Sequence, residues 1–414
     1  MRVQTLRATP ARLQMLLFVG IFFAQVDLYY RLIGALPVKA PNLFLFALAV
    51  VCAGTVLRAI VLRSARAEVG ALYVAHLPVL LPLVGICFFG ALSSLLPSAF
   101  WDEGSKNALF PLFDAATFAL ALLLPLPAAH RRAFRVYFLA AFVLSAGSVF
   151  ADTIWPGTFS IVEFRAAGFV RNPNTAAFVL VTFCCAIIDF RRLRVSDLLV
   201  LAITSVAVLA TLSRGGLIML VFVVACYAFF IARASRGHRF RLLGLAVGIG
   251  LLVTGVFHGV ATLLEEARMF RLESTRLAML LGRAPVVSSS DSRWELLRTS
   301  WDLVRERPLL GSGTAHTNTM VQGPHNIYLR QWIDSGLGGA ICYVWLLAAG
   351  GVLFYRRGYR PGLVYTGVVA IQGMFSHNLL DERPFLAVYA VMLTLSYLNA
   401  GEDPDVRDRR TLAA

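Results

Sequence analysis

Residues 323–355 read GPHNIYLRQWIDSGLGGAICYVWLLAAGGVLFY, and within them a polar stretch gives way to an apolar run. The polar stretch covers roughly residues 259–335, and the apolar run covers residues 336–355. An apolar run of about 20 residues is long enough to cross the hydrocarbon core of a bilayer as a helix. The change of composition near Gly336 therefore predicts a boundary between a loop and a membrane-spanning helix.

Similar apolar runs recur along the 414 residues, of which 58% are hydrophobic and 15% charged. Soluble domains are nearer half apolar and a quarter charged. The sequence therefore predicts an all-α polytopic membrane protein with about 12 transmembrane helices and one large helical loop. The predicted spans are 13–35, 42–62, 70–95, 107–128, 134–152, 173–190, 196–212, 215–232, 240–258, 336–355, 361–379 and 384–399.

This pattern divides the chain into four parts. Residues 1–258 would hold transmembrane helices 1–9, residues 259–335 the loop subdomain, residues 336–400 transmembrane helices 10–12, and residues 401–414 a tail. The first span is not expected to be a signal peptide, because it is long, is followed by further spans and has no evident small-residue cleavage site.

The formal net charge is +15, and many of the arginines lie in alternate short loops. By the positive-inside rule such loops are cytoplasmic, as both basic termini would then be. The loop 259–335 is then expected on the opposite side of the membrane. Nucleic acid is not an expected partner, because no soluble module interleaves basic and aromatic residues. The arginine clusters are Arg58/Arg63/Arg66, Arg131/Arg132/Arg135, Arg191/Arg192/Arg194, Arg233/Arg236/Arg239/Arg241 and Arg356/Arg357/Arg360.

Two segments of the loop, residues 261–282 and 293–306, carry apolar residues at helical spacing. Ser292 and Glu295 fit a capping box, which predicts that the second helix begins at Ser292. Its tryptophan and leucine side chains could form a packed core of the loop or rest on the membrane surface. The loop has eight arginines between residues 268 and 307 and no lysine. Ordinary surface charge would explain most of these arginines.

Three places combine a cation with a predicted helix start: Arg214 after Ser213, Arg293, and His325. The free N–H groups and positive potential of a helix N-terminus suit a phosphate. An arginine there is unfavourable for the helix dipole, and an anionic ligand would offset that penalty. The alternative is that each arginine pairs with a carboxylate of the loop.

His325 would be favoured in its neutral form by a helix N-terminus and nearby arginines, and a neutral imidazole can act as a general base. Asn-Pro-Asn at residues 172–174 predicts a turn and a helix start, and Arg165 just before it could reach the same side of the membrane. The sequence has no P-loop, no dinucleotide-binding glycine motif and no cluster of metal ligands. It therefore predicts neither a metal nor a cofactor.

The run His325-Asn326, nine residues, Gly336, two residues, Gly339 resembles the signature of bacterial O-antigen ligases. Arg293 followed by Leu297 is similar to an R-x-x-x-L element in the large periplasmic loop of those proteins. The Ser213–Gly216 turn and the Arg165–Asn174 segment resemble the wider superfamily. That superfamily includes O-antigen polymerases and protein O-oligosaccharyltransferases.

The resemblance implies an enzyme of the bacterial inner membrane whose active site faces the periplasm, with both termini in the cytoplasm. The donor would be a glycan on undecaprenyl diphosphate, and the acceptor a sugar hydroxyl of lipid A–core oligosaccharide, with membrane lipids as further partners. Transfer would be metal-independent and inverting. The implied site has His325 as base or orienting group, Arg214, Arg293 and Arg165 as diphosphate-binding residues, and Asn326, Gly336, Gly339 and Ser213 as supporting residues.

Other functions remain open from the sequence. A polymerase or a protein O-oligosaccharyltransferase would use the same lipid-linked donor and a different acceptor. A transporter or flippase of an anionic lipid, from a different class, would need charged or broken helices near the middle of the bilayer. The main candidates for such residues are Asp27, Asp114 and His76.

Overall fold

The computed structural model describes residues 10–36, 40–94, 110–162, 165–234, 289–320 and 323–400, and every regular element in them is helical. The main helices are α1 (Pro10–Phe18), α2 (Val26–Leu32), α3 (Ala40–Val61), α4 (Arg63–Ala75), α5 (Leu77–Ser94), α6 (Phe110–Ala121), α7 (Ala128–Arg131), α8 (Phe134–Ile154), α9 (Pro173–Ile187), α10 (Val195–Ala210), α11 (Arg214–Ala234), α12 (Ser289–Glu306), α13 (Ile327–Arg356), α14 (Arg360–Gly373) and α15 (Arg383–Ala400). A π-helical segment (Val19–Phe23) and short 3₁₀ turns (Gly168–Val170 and His316–Thr319) complete these elements.

Five of the described helices, α3, α5, α8, α11 and α13, are long and apolar enough to cross a membrane. A sixth span results if the α1–Phe23 segment and α2, which meet at a bend of 51°, are counted as one. The helices α6, α9, α10 and α15 are apolar and shorter. The total of twelve spans stays a prediction, since the ninth predicted span and the loop segment 261–282 lie outside the described residues.

Two helices begin at other places than the sequence predicts. The third predicted span, 70–95, combines the end of α4 with α5, because Pro78 has no N–H to continue a helix from α4. Helix α12 begins at Ser289 rather than at Ser292. Serine and aspartate are well suited to a helix start, so the run Ser289–Ser292 allows the earlier beginning.

Helix α9 forms the centre of the bundle. Nearly all of its side chains are buried, and it packs against α8, α10, α11 and α14. A helix that is apolar all round fits such a position. It begins after Asn172, whose side chain accepts a hydrogen bond from the Asn174 N–H, with Pro173 in the first turn. At 15 residues, or about 22 Å, α9 is shorter than a bilayer core.

The helices end in two groups. At one end Arg135 donates to the Asp197 carboxylate (3.0 Å) and Arg360 to the Phe190 carbonyl (2.8 Å). These contacts bring together the starts of α8, α10 and α14 and the chain that follows α9. We call this end of the bundle, with its clusters of arginines, the arginine end.

At the opposite end, Thr175 in α9 donates to Glu382 ahead of α15 (3.4 Å), and Arg330 in α13 donates to the His377 carbonyl (2.9 Å). The starts of α9, α13 and α15 therefore lie together with the chain that follows α14. We call this end the histidine end. From α8 to α11, and again from α13 to α15, successive helices alternate in direction between the two ends.

Helix α13 is broken at Gly336, whose φ of 67° and ψ of −169° are not helical. The segment after α12 lies against the break. The Leu337 N–H donates to the Pro308 carbonyl (3.0 Å), and the Ser312 N–H donates to the Ile333 carbonyl (2.7 Å). The backbone groups that the break releases are thus satisfied by the neighbouring segment. Because α13 begins at Ile327, the predicted boundary between residues 335 and 336 falls inside this helix.

Replacement of Gly336 by alanine is expected to destabilise the protein. The backbone conformation at Gly336 is open almost only to glycine, and a Cβ there would overlap the Leu309 carbonyl oxygen. We expect Gly336→Ala to lower the unfolding free energy by roughly 1–3 kcal/mol or more. Thermal unfolding of the protein purified in detergent measures the change.

Gly351→Ala in the same helix is the matched control. A Cβ at Gly351 would lie 3.7 Å from the Thr366 Cγ2, an ordinary contact. Alanine at a helical position with free space stabilises by roughly 0.5–1 kcal/mol. Equal unfolding temperatures for the two variants would contradict this account of the break.

Candidate functional site

His325 lies at the surface of the histidine end, directly before α13. Its side chain is exposed, and its φ of 47° places its backbone in the left-handed region. The next residue, Asn326, caps the helix, since its side chain accepts hydrogen bonds from the N–H groups of Tyr328 (2.9 Å) and Leu329 (3.2 Å). The imidazole is therefore held beside the positive end of a capped helix.

A second histidine lies beside the first. The ring of His377, in the chain between α14 and α15, meets the His325 ring edge-on with centroids 5.3 Å apart. The backbone of Gly323 lies against the His377 ring, where a Cβ would overlap it. Burial, together with the positive charge of Arg330 and the nearby His325, lowers the pKa of His377 to about 4. His377 is thus a neutral neighbour of His325 at neutral pH.

Arg330 holds the chain that carries His377. Its guanidinium donates to the His377 carbonyl (2.9 Å), the Asn378 side chain (3.3 Å) and the Asp381 carboxylate (2.6 Å). Its Nε donates to Asp334, one helical turn further on (3.4 Å). Arg330 is 6% exposed, so these carboxylates compensate a charge that has been taken almost completely out of water.

Asp334 extends this network to the segment that precedes the site. Its carboxylate accepts from the Thr317 N–H (2.9 Å) and hydroxyl (3.0 Å), and its carbonyl accepts from the Ser93 hydroxyl (2.8 Å) in α5. Arg330 and Asp334 were not among the site residues predicted from the sequence. The sequence feature that could have indicated them is a pair of opposite charges four residues apart, at the edge of an apolar run.

Arg214 lies at the start of α11, also at the histidine end. Ser213 caps this helix, as its hydroxyl accepts from the Gly216 N–H (3.2 Å), and the Arg214 side chain is exposed. A Cβ on Gly215 would lie 3.2 Å from the Phe375 ring. Phe375 belongs to the same short chain as His377, so Arg214 and His325 both lie near that chain.

Arg165 is buried, in contrast to Arg214. Its Nε donates to the Thr211 carbonyl (2.9 Å), and a terminal nitrogen donates to the Asn174 side chain (2.9 Å). Thr211 precedes Ser213 in the turn between α10 and α11. The contacts of Arg165 therefore position the turn that carries Arg214, and they join it to the start of α9.

Arg293 lies in the first turns of α12, and its side chain lies outside the described parts. Trp301 of α12 meets Trp332 of α13 edge-on, with ring centroids 5.6 Å apart. Leu297, one turn earlier in α12, lines one groove with Leu329 near the start of α13. Towards its beginning, α12 therefore runs back along α13 in the direction of His325.

The groove between α12 and α13 has a volume of about 1040 Å³ and is open to solvent. Val304 is 2% exposed and packs inside, whereas Trp294 is 70% and Leu297 37% exposed. The alternative in which the apolar side chains of the loop form a packed core therefore applies only to the end of α12. The exposed apolar side chains agree better with the alternative, a surface that meets the membrane or a ligand.

Gly336 and Gly339 are positions where the backbone leaves no room for a side chain. Gly336 allows the break in α13, and a Cβ on Gly339 would crowd the Ser335 side chain in the turn before it. The spacing from His325 to Gly336 is therefore the length of a short helix between a cap and a break. Arg330 lies in the middle of this short helix.

A comparison with protein families agrees with the resemblance in the sequence. A family model described as O-antigen ligase matches residues 199–344, from within α10 to within α13. Over these residues the chain is similar to the O-antigen ligase/polymerase family, whose members are membrane glycosyltransferase-like enzymes. No curated protein shows a significant match. The family and the apolar helices together indicate a multi-pass membrane protein.

Arg330→Lys is expected to destabilise the histidine end. An ammonium group cannot replace the planar guanidinium, whose nitrogens bond four groups in different directions. Lysine keeps the charge but cannot make all of these hydrogen bonds, and each buried acceptor left without one costs about 1–3 kcal/mol, so we expect the unfolding free energy to fall by about 3 kcal/mol. Chemical or thermal denaturation in detergent measures this change.

Arg305→Lys is the control for Arg330→Lys. Arg305 is exposed and pairs with Asp302 at 3.6 Å on the surface of α12. Such a pair contributes below about 1 kcal/mol. If the two substitutions lowered stability equally, Arg330 would not have the organising role described above.

The low pKa of His377 predicts a dependence of stability on pH. Its pKa is about 4 in the folded protein and 6.5 ordinarily, so the unfolded chain binds the proton more tightly between these values. The free energy of unfolding is therefore not reduced by this histidine above pH 6.5. It decreases as the pH falls towards 4, because the unfolded chain then binds a proton that the folded protein does not. We expect His377→Asn to lose less stability than the parent between pH values of about 7.5 and 4.5. Unfolding temperatures measured across this range test the prediction, and parallel curves would refute it.

Proposed function

We propose that the protein transfers O-antigen glycan from undecaprenyl diphosphate to a sugar hydroxyl of lipid A–core oligosaccharide. The reaction would take place at the histidine end, on the periplasmic side of the inner membrane. The observation that carries this proposal is that exposed His325 and exposed Arg214, each next to a capped helix start, lie at the same end of the bundle. A base and an anion-binding group are what transfer from a lipid diphosphate requires.

His325 would accept the proton of the attacking hydroxyl, or orient that hydroxyl. The acceptor oxygen forms a bond to the anomeric carbon, and the bond from that carbon to the diphosphate oxygen breaks. The leaving diphosphate takes the electron pair. Attack from the side opposite the leaving group inverts the anomeric centre. The neighbouring His377 supports this role, because an uncharged ring beside His325 does not repel a proton that His325 accepts.

Arg214 and Arg293 would bind the diphosphate and stabilise the charge that grows as it leaves. A guanidinium can donate two parallel hydrogen bonds to a phosphate, and helix N–H groups add to the positive potential. These groups provide charge stabilisation without a metal. Arg165, which we expected as a third phosphate-binding residue, is proposed to support Arg214 through the contact with Thr211.

The distribution of arginines supports the proposed orientation. Three of the loops with clustered arginines, at residues 131–135, 191–194 and 356–360, meet at the arginine end, where Arg135 reaches Asp197 and Arg191 donates to the Gly358 carbonyl (3.3 Å). By the positive-inside rule this end would face the cytoplasm. The histidine end would then face the periplasm, where flipped lipid-linked glycans are the available donors.

A polymerase or a protein O-oligosaccharyltransferase would need the same base and the same diphosphate site. The acceptor decides among these activities. The test is therefore to mix the purified full-length protein with an undecaprenyl-diphosphate-linked glycan, in EDTA, and to offer either lipid A–core or a second donor molecule. Transfer to lipid A–core supports a ligase, and growth on the carrier indicates a polymerase. Transfer to neither acceptor would overturn the proposal.

In the same assay His325→Ala is expected to lower the transfer rate by about 100-fold or more, the usual contribution of a general base. Arg214→Lys and Arg293→Lys are each expected to lower it by about tenfold, because lysine cannot form the bidentate contact. Arg305→Lys, an exposed change on α12, should keep the parental rate. Near-normal transfer by His325→Ala, at equal expression and membrane insertion, would exclude His325 as the base.

A further inference from the structure

We propose that the arginine end binds an anionic phospholipid in a cavity between three of its loops. The cavity has a volume of about 620 Å³ and lies between the chain before α8, the chain between α9 and α10, and the chain between α13 and α14. It is on the opposite end of the bundle from His325 and takes no part in the proposed glycan transfer. Its lining combines arginines at the rim with an apolar interior.

The charge of the lining selects an anion. Six arginines and a single aspartate, Asp189, contribute to it. Such an excess of like charge, brought together in one concave site, attracts phosphate groups and raises their local concentration. The arginines are Arg131, Arg132, Arg135, Arg191, Arg194 and Arg357.

Several of these arginines are held in place by the protein. Arg194 pairs with Asp189 (2.8 Å), and Arg135 pairs with the buried Asp197 (3.0 Å). Arg357 is buried and donates to the Leu393 carbonyl and to the Ser396 hydroxyl, each at 3.1 Å. These three guanidinium groups are therefore preorganised and stay in position without a ligand. Preorganisation lowers the entropy lost on binding.

The inner wall of the cavity identifies the ligand as a lipid. Phe138, Ile188 and Leu395 line it and are each almost completely buried in the bundle. On the outer side of α8, Val136 and Leu139 are 48% and 41% exposed, as expected for a face that meets acyl chains. A soluble phosphate would use only the rim. A phospholipid would place its phosphate among the arginines and its acyl chains along the exposed apolar side chains of α8.

The test is native mass spectrometry of the full-length protein in a neutral detergent, titrated with phosphatidylglycerol. Phosphatidylcholine with the same acyl chains and inorganic phosphate serve as the other ligands. We expect phosphatidylglycerol to bind clearly more tightly than either. Equal binding of phosphatidylcholine would show that the arginines do not select the ligand. Equal binding of inorganic phosphate would show a site for soluble anions, and either result overturns the proposal.

Two variants with the same loss of charge separate the cavity from the general positive potential. Arg132 and Arg191 line the cavity and are exposed at its rim, whereas Arg58 and Arg192 are exposed and do not line it. We expect R132Q/R191Q to weaken phosphatidylglycerol binding by about tenfold or more, and R58Q/R192Q by less than about threefold. Equal weakening in both variants would contradict a defined site.

The single variant Arg132→Gln gives an independent measurement, since it leaves the contact of Arg191 with Gly358 in place. It is expected to weaken binding by about threefold, in keeping with one lost charge. Unchanged binding by R132Q and by the double variant would overturn the proposal. Glycan transfer in detergent is expected to be unchanged in R132Q, so failure of the lipid site and failure of the proposed function are distinguishable.

Discussion

The break in α13 at Gly336 is the contact on which the arrangement of the histidine end depends. At this point the backbone of residues 308–313 lies directly against the helix, and its hydrogen bonds replace those that the helix loses. The break divides α13 into a short and a long part. The short part runs from the Asn326 cap to Gly336, and it places Arg330 under the chain that carries His377. A side chain at position 336 would separate these elements.

The bundle uses arginine in two ways. At the histidine end, Arg165 and Arg330 are buried and bond to backbone carbonyls, so they organise the chains around the exposed Arg214 and His325. At the arginine end, Arg357 is likewise buried and satisfied by the protein, whereas Arg132 and Arg191 are exposed at the rim of one cavity. Burial is the physical distinction, because a buried guanidinium must be satisfied by the protein, while one at an open rim is available to an anion.

Much of the architecture could be predicted from composition and capping signals. The apolar runs correspond to helices wherever the structure describes them, and Ser213 begins a helix as its sequence indicates. The predictions were less accurate where a helix is broken or joined to another, as at Pro78 and at Gly336, since hydropathy averages over such points. The role of Arg330 could not be predicted, because its partners Asp381 and His377 lie about 50 residues further along the chain.

The sequence by itself determined the class of fold, the spacing of His325, Gly336 and Gly339, and the arginines in alternate loops. These are local properties: hydropathy, helix capping and the chemistry of single side chains act over a few residues. Only the tertiary structure decided which of these residues meet. It brought His377 to His325, buried Arg165 and Arg330, and gathered distant loops around one cavity. Such contacts depend on how helices pack across the bundle, and no short stretch of sequence encodes that packing.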